Sequence, residues 1–174
     1  RGGGVVRFDT RWERFENTDD PAETAGEKNR DILSLIQGAD GGLWAGTSYG
    51  LNRLAEKDGQ MRITGFPGEN ELGDPAVHGI VEDLAGNLWI STGNGITCID
   101  RLSGKTIQYT SRNGLQNDEF SDGAYFRDNE MDVFFGGVAG FSYFNPEEMR
   151  LRNFEPEIRL AGLRINNKEL NVYD

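Results

Sequence analysis

Asn87-Leu88-Trp89-Ile90-Ser91-Thr92-Gly93-Asn94-Gly95-Ile96 decides the fold, because the chain returns to it every 45 residues. Gly42-Leu43-Trp44-Ala45-Gly46-Thr47-Ser48-Tyr49-Gly50-Leu51 comes before it in register. Asp132-Val133-Phe134-Phe135-Gly136-Gly137-Val138-Ala139-Gly140-Phe141 follows as a looser copy. Trp44, Trp89 and Phe134 align without a gap, as do Gly50, Gly95 and Gly140. A fixed period of this length marks a repeat architecture, in which each unit buries its apolar surface against the next.

The middle copy defines one unit. Residues 77–83 have strand composition, and Ala85-Gly86-Asn87 is a tight turn of residues that tolerate positive φ. Leu88 to Thr92 is a nearly continuous apolar run, as in a strand buried on both faces. Gly93-Asn94-Gly95 turns the chain into a third strand, residues 96–100. Leu102-Ser103-Gly104 turns it again, and residues 105–110 alternate like a half-exposed outer strand. Four short antiparallel strands per period make a β-propeller blade. Sandwiches are a structural rival. So are solenoids, but most of them use fewer elements per repeat than four strands.

The expected fold is therefore all-β, a partial propeller over residues 1–145. It divides into a blade end (1–27), a blade (28–68), a second blade (74–111) and a last blade (119–145). Gly4-Val5-Val6-Arg7-Phe8-Asp9 aligns with the third strands that begin at Gly50 and Gly95, so the chain enters mid-blade. Trp12-Glu13-Arg14-Phe15 is the expected outer strand of that first partial blade. No helix is expected. Closed propellers have about 4–8 blades, so the chain reads as part of a longer protein. After Phe144 the repeat stops. Asn145-Pro146-Glu147-Glu148-Met149 is a break. Ile158-Arg159-Leu160 and Leu163-Arg164-Ile165 then alternate, with a turn at Asn166-Asn167, as the opening strands of a different β domain over residues 146–174.

The net charge is −11 and the chain has a single cysteine, Cys98. That acidity disfavours nucleic acid and anionic membrane surfaces as partners. No apolar run approaches the ~20 residues that span a bilayer. One cysteine excludes an intrachain disulfide, and one histidine, His78, leaves too few ligands for a zinc site. No Gly-x-Ser-x-Gly elbow is present. Asp83 and Asp128 recur at the repeat spacing before a turn, which points to turn capping. Asp118, Glu119 and Asp122 lack the pattern of a calcium loop. No metal, cofactor or catalytic residue is expected.

Binding is easier to place. In a propeller, the loops joining second and third strands share an end with the connections between blades, and that end commonly holds a ligand. The expected binding residues there are Tyr49, Asn94, Arg30, His78, Arg112 and Asn113. Aromatic faces stack on sugar rings, and Arg, Asn and His hydrogen-bond hydroxyl or acidic groups.

Residues 83–96 and 41–51 resemble the two-component regulator propeller repeat, with its Asn-Leu-Trp-Ile-Gly-Thr-like strand followed by Gly-Leu. Ser91 stands where that repeat usually has Gly, and Ala45 at its aliphatic position. Residues 113–120 and 134–146 resemble the last blade of such proteins. Residues 156–170 resemble the opening strand of the immunoglobulin-like Y_Y_Y domain that follows it. The resemblance implies the periplasmic sensor region of a Bacteroides-type hybrid two-component histidine kinase, anchored in the inner membrane. In that family the propellers sense glycan fragments, and the Ig-like domain passes the signal through a membrane helix to the kinase. The implied partners are an oligosaccharide and the rest of the same sensor, with a homodimer through the following domain left open. Two rival readings stay open: a propeller-fold polysaccharide lyase or glycosidase, and a protein-binding scaffold.

Overall fold

The structure is a computed structural model that describes residues 5–17, 31–57, 60–66, 76–151, 163–165 and 168–170. The strands fall where the repeat puts them. β1 (Val6–Asp9) pairs with β2 (Arg14–Asn17) in an antiparallel hairpin. β3 (Ile32–Gln37), β4 (Leu43–Thr47), β5 (Gly50–Lys57) and β6 (Gln60–Gly65) form a four-stranded meander in chain order. β7 (Gly79–Glu82), β8 (Leu88–Thr92), β9 (Gly95–Ile99) and β10 (Thr106–Tyr109) form a second. β11 (Phe120–Arg127), β12 (Val133–Gly137) and β13 (Gly140–Phe144) form a three-stranded sheet. β14 (Leu163–Ile165) and β15 (Lys168–Leu170) make a last hairpin around residues 166–167, which are outside the described set.

The period of two explains the apolar run at Leu88–Thr92. Successive strand side chains point to opposite faces. Ile80, Leu88, Ile90 and Ile99 face the first blade, where they bury Trp44 and Leu51. Val81, Trp89 and Ile96 face the last blade, where they meet Phe120, Val133 and Phe135. All five residues of β8 are buried, because both its faces are blade interfaces. Trp44 and Trp89 are core residues at 2% and 1% exposure. Gly50, Gly95 and Gly140 align because each opens a third strand at positive φ. At Gly95 a Cβ would lie 2.2 Å from the Tyr109 carbonyl oxygen, so only glycine fits between β9 and β10.

Two expectations need correction. The outer strand of the first partial blade begins at Arg14, not Trp12. Asp9 Oδ1 accepts from the Arg11 and Trp12 N–H groups, which holds those residues in a turn and leaves Trp12 71% exposed. The expected absence of helix fails twice. Ser111–Asn113 is a 3-10 turn, and the break after Phe144 opens helix α1 (Pro146–Leu151). Asn145 caps it by accepting from the Glu147 N–H at 3.0 Å, and Pro146 occupies the first turn with Glu147 and Glu148. Met149 carries the helix back onto the last-blade core. The expected strand at residues 158–160 lies outside the described residues.

Candidate functional site

The β4–β5, β8–β9 and β12–β13 turns share an end with the chain entries into β3, β7 and β11, as antiparallel meanders require. A threonine builds the first two turns alike. Thr47 Oγ1 donates to the Gly50 carbonyl at 3.0 Å and accepts from the Tyr49 N–H at 3.1 Å. Thr92 Oγ1 donates to the Gly95 carbonyl at 3.3 Å and accepts from the Asn94 N–H at 3.0 Å. Tyr49 and Asn94 are thereby presented at the same point of successive blades, both exposed. The entries are tied to the turns. Ser48 Oγ donates to Asp31 at 2.9 Å, and the Val77 N–H donates to the Thr47 carbonyl.

The connection from β10 to β11 lies across two blades. Its hub is Asp118. The Asp118 carbonyl accepts from the Gly95 N–H at 2.8 Å, and its carboxylate accepts from the Ser111 N–H and hydroxyl. The Gln116 N–H donates to Ser142 Oγ, and the Gln116 amide donates to the Ala139 carbonyl. Gln108 Nε2 donates to the Asn94 carbonyl at 2.8 Å. Asn94, Arg112 and Asn113 therefore belong to one pinned loop cluster at the end of the second blade. Arg112 and Asn113 are exposed, but Asn113 Oδ1 is occupied by the Thr110 N–H.

His78 stands at the inner entry to β7. Its N–H donates to the Ser91 carbonyl, and its carbonyl accepts from the Gly123 N–H at 3.0 Å. Its Nδ1 lies 2.6 Å from Asp122 Oδ1. Asp122 reaches it from a bulge. Phe120 pairs with Gly137 and Tyr125 with Phe135, so β11 bulges between them, with Gly123 at φ +69°. Tyr49 sits on the neighbouring blade, and Arg30 lies outside the described residues. Sequence reading missed Asp118 as the loop hub and Asp122 as the histidine's partner. Asp122-Gly123 inside a strand pattern was the available sign of a bulge.

The opposite end holds a cavity of about 710 Å³ between the inner strands, lined in part by Ile36, Leu84, Phe126 and Arg127. Of the expected binding residues, none of the five that are described lines it. Its polar groups are already engaged. Tyr125 OH bonds the Leu35 backbone, and Arg127 donates to the Glu82 carbonyl. Glu82 accepts from the Ala39 N–H and from Arg101. Asp40 there is held down to about 2 by the Arg53 guanidinium first, then by the Gly42 N–H and Arg101. No group of three or more His, Cys, Asp or Glu placed to hold a metal occurs among the described residues.

Fold and loop geometry together define an open run of β-propeller blades with a loop-built surface at one end. Comparison with known proteins narrows this. The extracellular domain of the hybrid two-component system BT3049 of B. thetaiotaomicron has the same fold, with a TM-score of 0.74 and 22% identity, over 99% of this chain and 24% of that one. The extracellular domain of the hybrid two-component system BT4673 of B. thetaiotaomicron matches at 0.64 and 17% identity, over 84% of this chain and 21% of that one. In sequence, histidine kinase P4 of Formosa agariphila is 26% identical over 219 residues, an alignment covering 98% of this chain and 16% of the kinase. No profile of a known protein family matches the chain. The chain spans under a quarter of each of these relatives.

Proposed function

We propose that this chain is part of the extracytoplasmic sensor region of a two-component histidine kinase, that it binds a glycan-derived oligosaccharide, and that it performs no catalysis. The observation that carries the reading is the match of its fold, over 99% of its length, to the extracellular domain of a hybrid two-component system. The loop cluster around Asp118 and the turns at Tyr49 and Asn94 are the proposed ligand end. Tyr49 would stack on a sugar face, while Asn94, Arg112 and His78 would hydrogen-bond its hydroxyl or acidic groups. Arg30 and Asn113 complete the proposed set. Binding would act by biasing one of two arrangements of domains or subunits, with a homodimer through the following domain as one route.

The test is isothermal titration of the intact ectodomain against a panel of oligosaccharides, with Tyr49→Ala and Asn94→Ala beside it. One glycan binding at micromolar concentration, weakened about tenfold or more in either variant, is the expected result. Released product in the same mixtures would replace the sensor reading with a lyase or glycosidase. Silence across the panel would favour a protein-binding scaffold.

A further inference from the structure

We propose that the β11 bulge serves to orient His78. In this arrangement Asp122 accepts the Nδ1–H hydrogen bond, which keeps the proton on Nδ1 and leaves Nε2 as an acceptor for a hydroxyl of the bound ligand. This rests on the oligosaccharide reading and gives one residue a defined part in it. Three observations converge. The β11 bulge is the largest of the inner strands at this end: its register slips between Phe120↔Gly137 and Tyr125↔Phe135, β3 shows only the smaller slip between Ile32↔Thr47 and Ser34↔Gly46, and β7 pairs with β8 without a shift. It grips His78 twice, through the Gly123 N–H on its carbonyl and through Asp122 Oδ1 on its ring, at 3.0 and 2.6 Å. The imidazole is also 20% exposed, so it is held without being sealed in.

The chemistry follows from the ring. A neutral imidazole has one N–H and one bare nitrogen, and a carboxylate on Nδ1 fixes the proton there. Nε2 is then an acceptor of set direction. An acceptor selects O–H or N–H donors, and a sugar ring offers a row of hydroxyls. Bulges recur beside functional sites because they re-aim one side chain, and here the re-aimed side chain is Asp122. Asp122 is thus a positioning residue that acts through His78.

His78 is the only histidine of the chain, so its two ring nitrogens can be read without overlap. The experiment is a long-range proton–nitrogen correlation spectrum of the nitrogen-labelled chain at a pH of about 8, above the ordinary imidazole range. The wild type is expected to show the Nδ1–H tautomer, and Asp122→Ala to lose it. An Nε2–H tautomer or an imidazolium in the wild type overturns the proposal.

The second arm titrates the oligosaccharide that gives heat with the wild type into Asp122→Ala and His78→Phe. Both are expected to lose about tenfold in affinity, the worth of one hydrogen bond, and Nε2 of the wild type is expected to shift on binding. Unchanged affinity in both variants overturns the ligand role while leaving the sensor reading intact. Silence of the wild type toward every oligosaccharide sinks the sensor reading and the ligand role with it.

Discussion

Asp83 uses every acceptor position it has. Its Oδ1 takes the Ala85 and Asn87 N–H groups, and its Oδ2 takes the Asn87 amide and the Trp89 indole N–H at 2.9 and 3.0 Å. Asp83, Asn87 and Trp89 are all buried, so removing the carboxylate strands two side-chain donors away from water. Asp83→Ala is expected to cost about 3 kcal/mol. Asp128 makes the same turn in the last blade but holds only the Glu130 and Asp132 N–H groups, so Asp128→Ala should cost about 1 kcal/mol. Urea unfolding of both variants measures the difference, and equal losses would mean that the Asn87 amide and Trp89 indole bonds contribute nothing. In the first blade the equivalent position is Gly38, and the buried Trp44 indole N–H has no hydrogen-bond partner among the described residues. Glu82 of the next blade enters the space instead, and the Arg53 and Arg101 guanidinium groups lie 5.0 and 5.2 Å from the Trp44 ring. Asp40 joins the two arginines, and its carboxyl is depressed to about 2. A carboxyl lowered on folding adds stability above its unfolded value of about 4, and that stability is lost as the pH falls through about 2. Asp40 is 39% exposed, so solvent screening limits the gain to under about 1 kcal/mol. Melting temperatures from pH 5 to pH 2 (approximate bounds) should fall more steeply for the wild type than for Asp40→Asn. Parallel curves would show that Asp40 plays no part.

Gly95 governs the second blade as an element. Its φ of +101° and the 2.2 Å approach of a Cβ to the Tyr109 carbonyl leave an alanine no place without moving β10. Gly95→Ala should cost about 2–3 kcal/mol and release Tyr109, whose ring stacks 5.7 Å from Trp89. Near-ultraviolet circular dichroism should therefore weaken along with the midpoint of unfolding. A variant with native tyrosine and tryptophan signals would show that the strands separate freely. Within a blade, strand order was legible because every neighbour lies within a few residues and most turns carry a glycine, although the β1–β2 and β11–β12 turns put Glu13 and Met131 at positive φ instead. The two faces of β8 were legible for the same reason. Contacts between blades were not. His78 and Asp122 are 44 residues apart, and nothing in a period of two says that they meet. The six-residue helix at Pro146–Leu151 is too short to show a 3.6-residue pattern, although Asn145 and Pro146 carried its start signal. Trp12 looked like a strand residue because an aromatic there suits a sheet, but the preceding Asp9 captured its N–H.

The whole molecule is a stack whose blade faces alternate between giving and receiving. Trp44 and Trp89 each point into the next blade, and the same position in the last blade is Phe134. Phe134 stacks on Tyr143 at 5.6 Å and lies 6.3 Å from Phe141 and 6.2 Å from Phe126. Phe126, Phe141 and Tyr143 are 62%, 59% and 64% exposed, so this face is an aromatic surface of the kind that the first two blades bury. Two opposed forces then decide how the chain behaves in solution. Burying these rings against another copy is favourable by about 25 cal/mol for each Å² removed from water. A net charge of −11 on each copy repels, and that repulsion weakens as salt shortens the screening length from about 30 Å at 0.01 M to about 3 Å at 1 M. The chain should sediment as a monomer in low salt and associate in high salt. Phe141→Ser combined with Tyr143→Ser removes the two most separable rings of the face and should abolish the salt-induced species without altering the far-ultraviolet spectrum. Sedimentation velocity at the two salt concentrations distinguishes the cases. Association that persists in the double variant would assign it to another surface, such as the β1–β2 hairpin with its exposed Trp12 and Phe15.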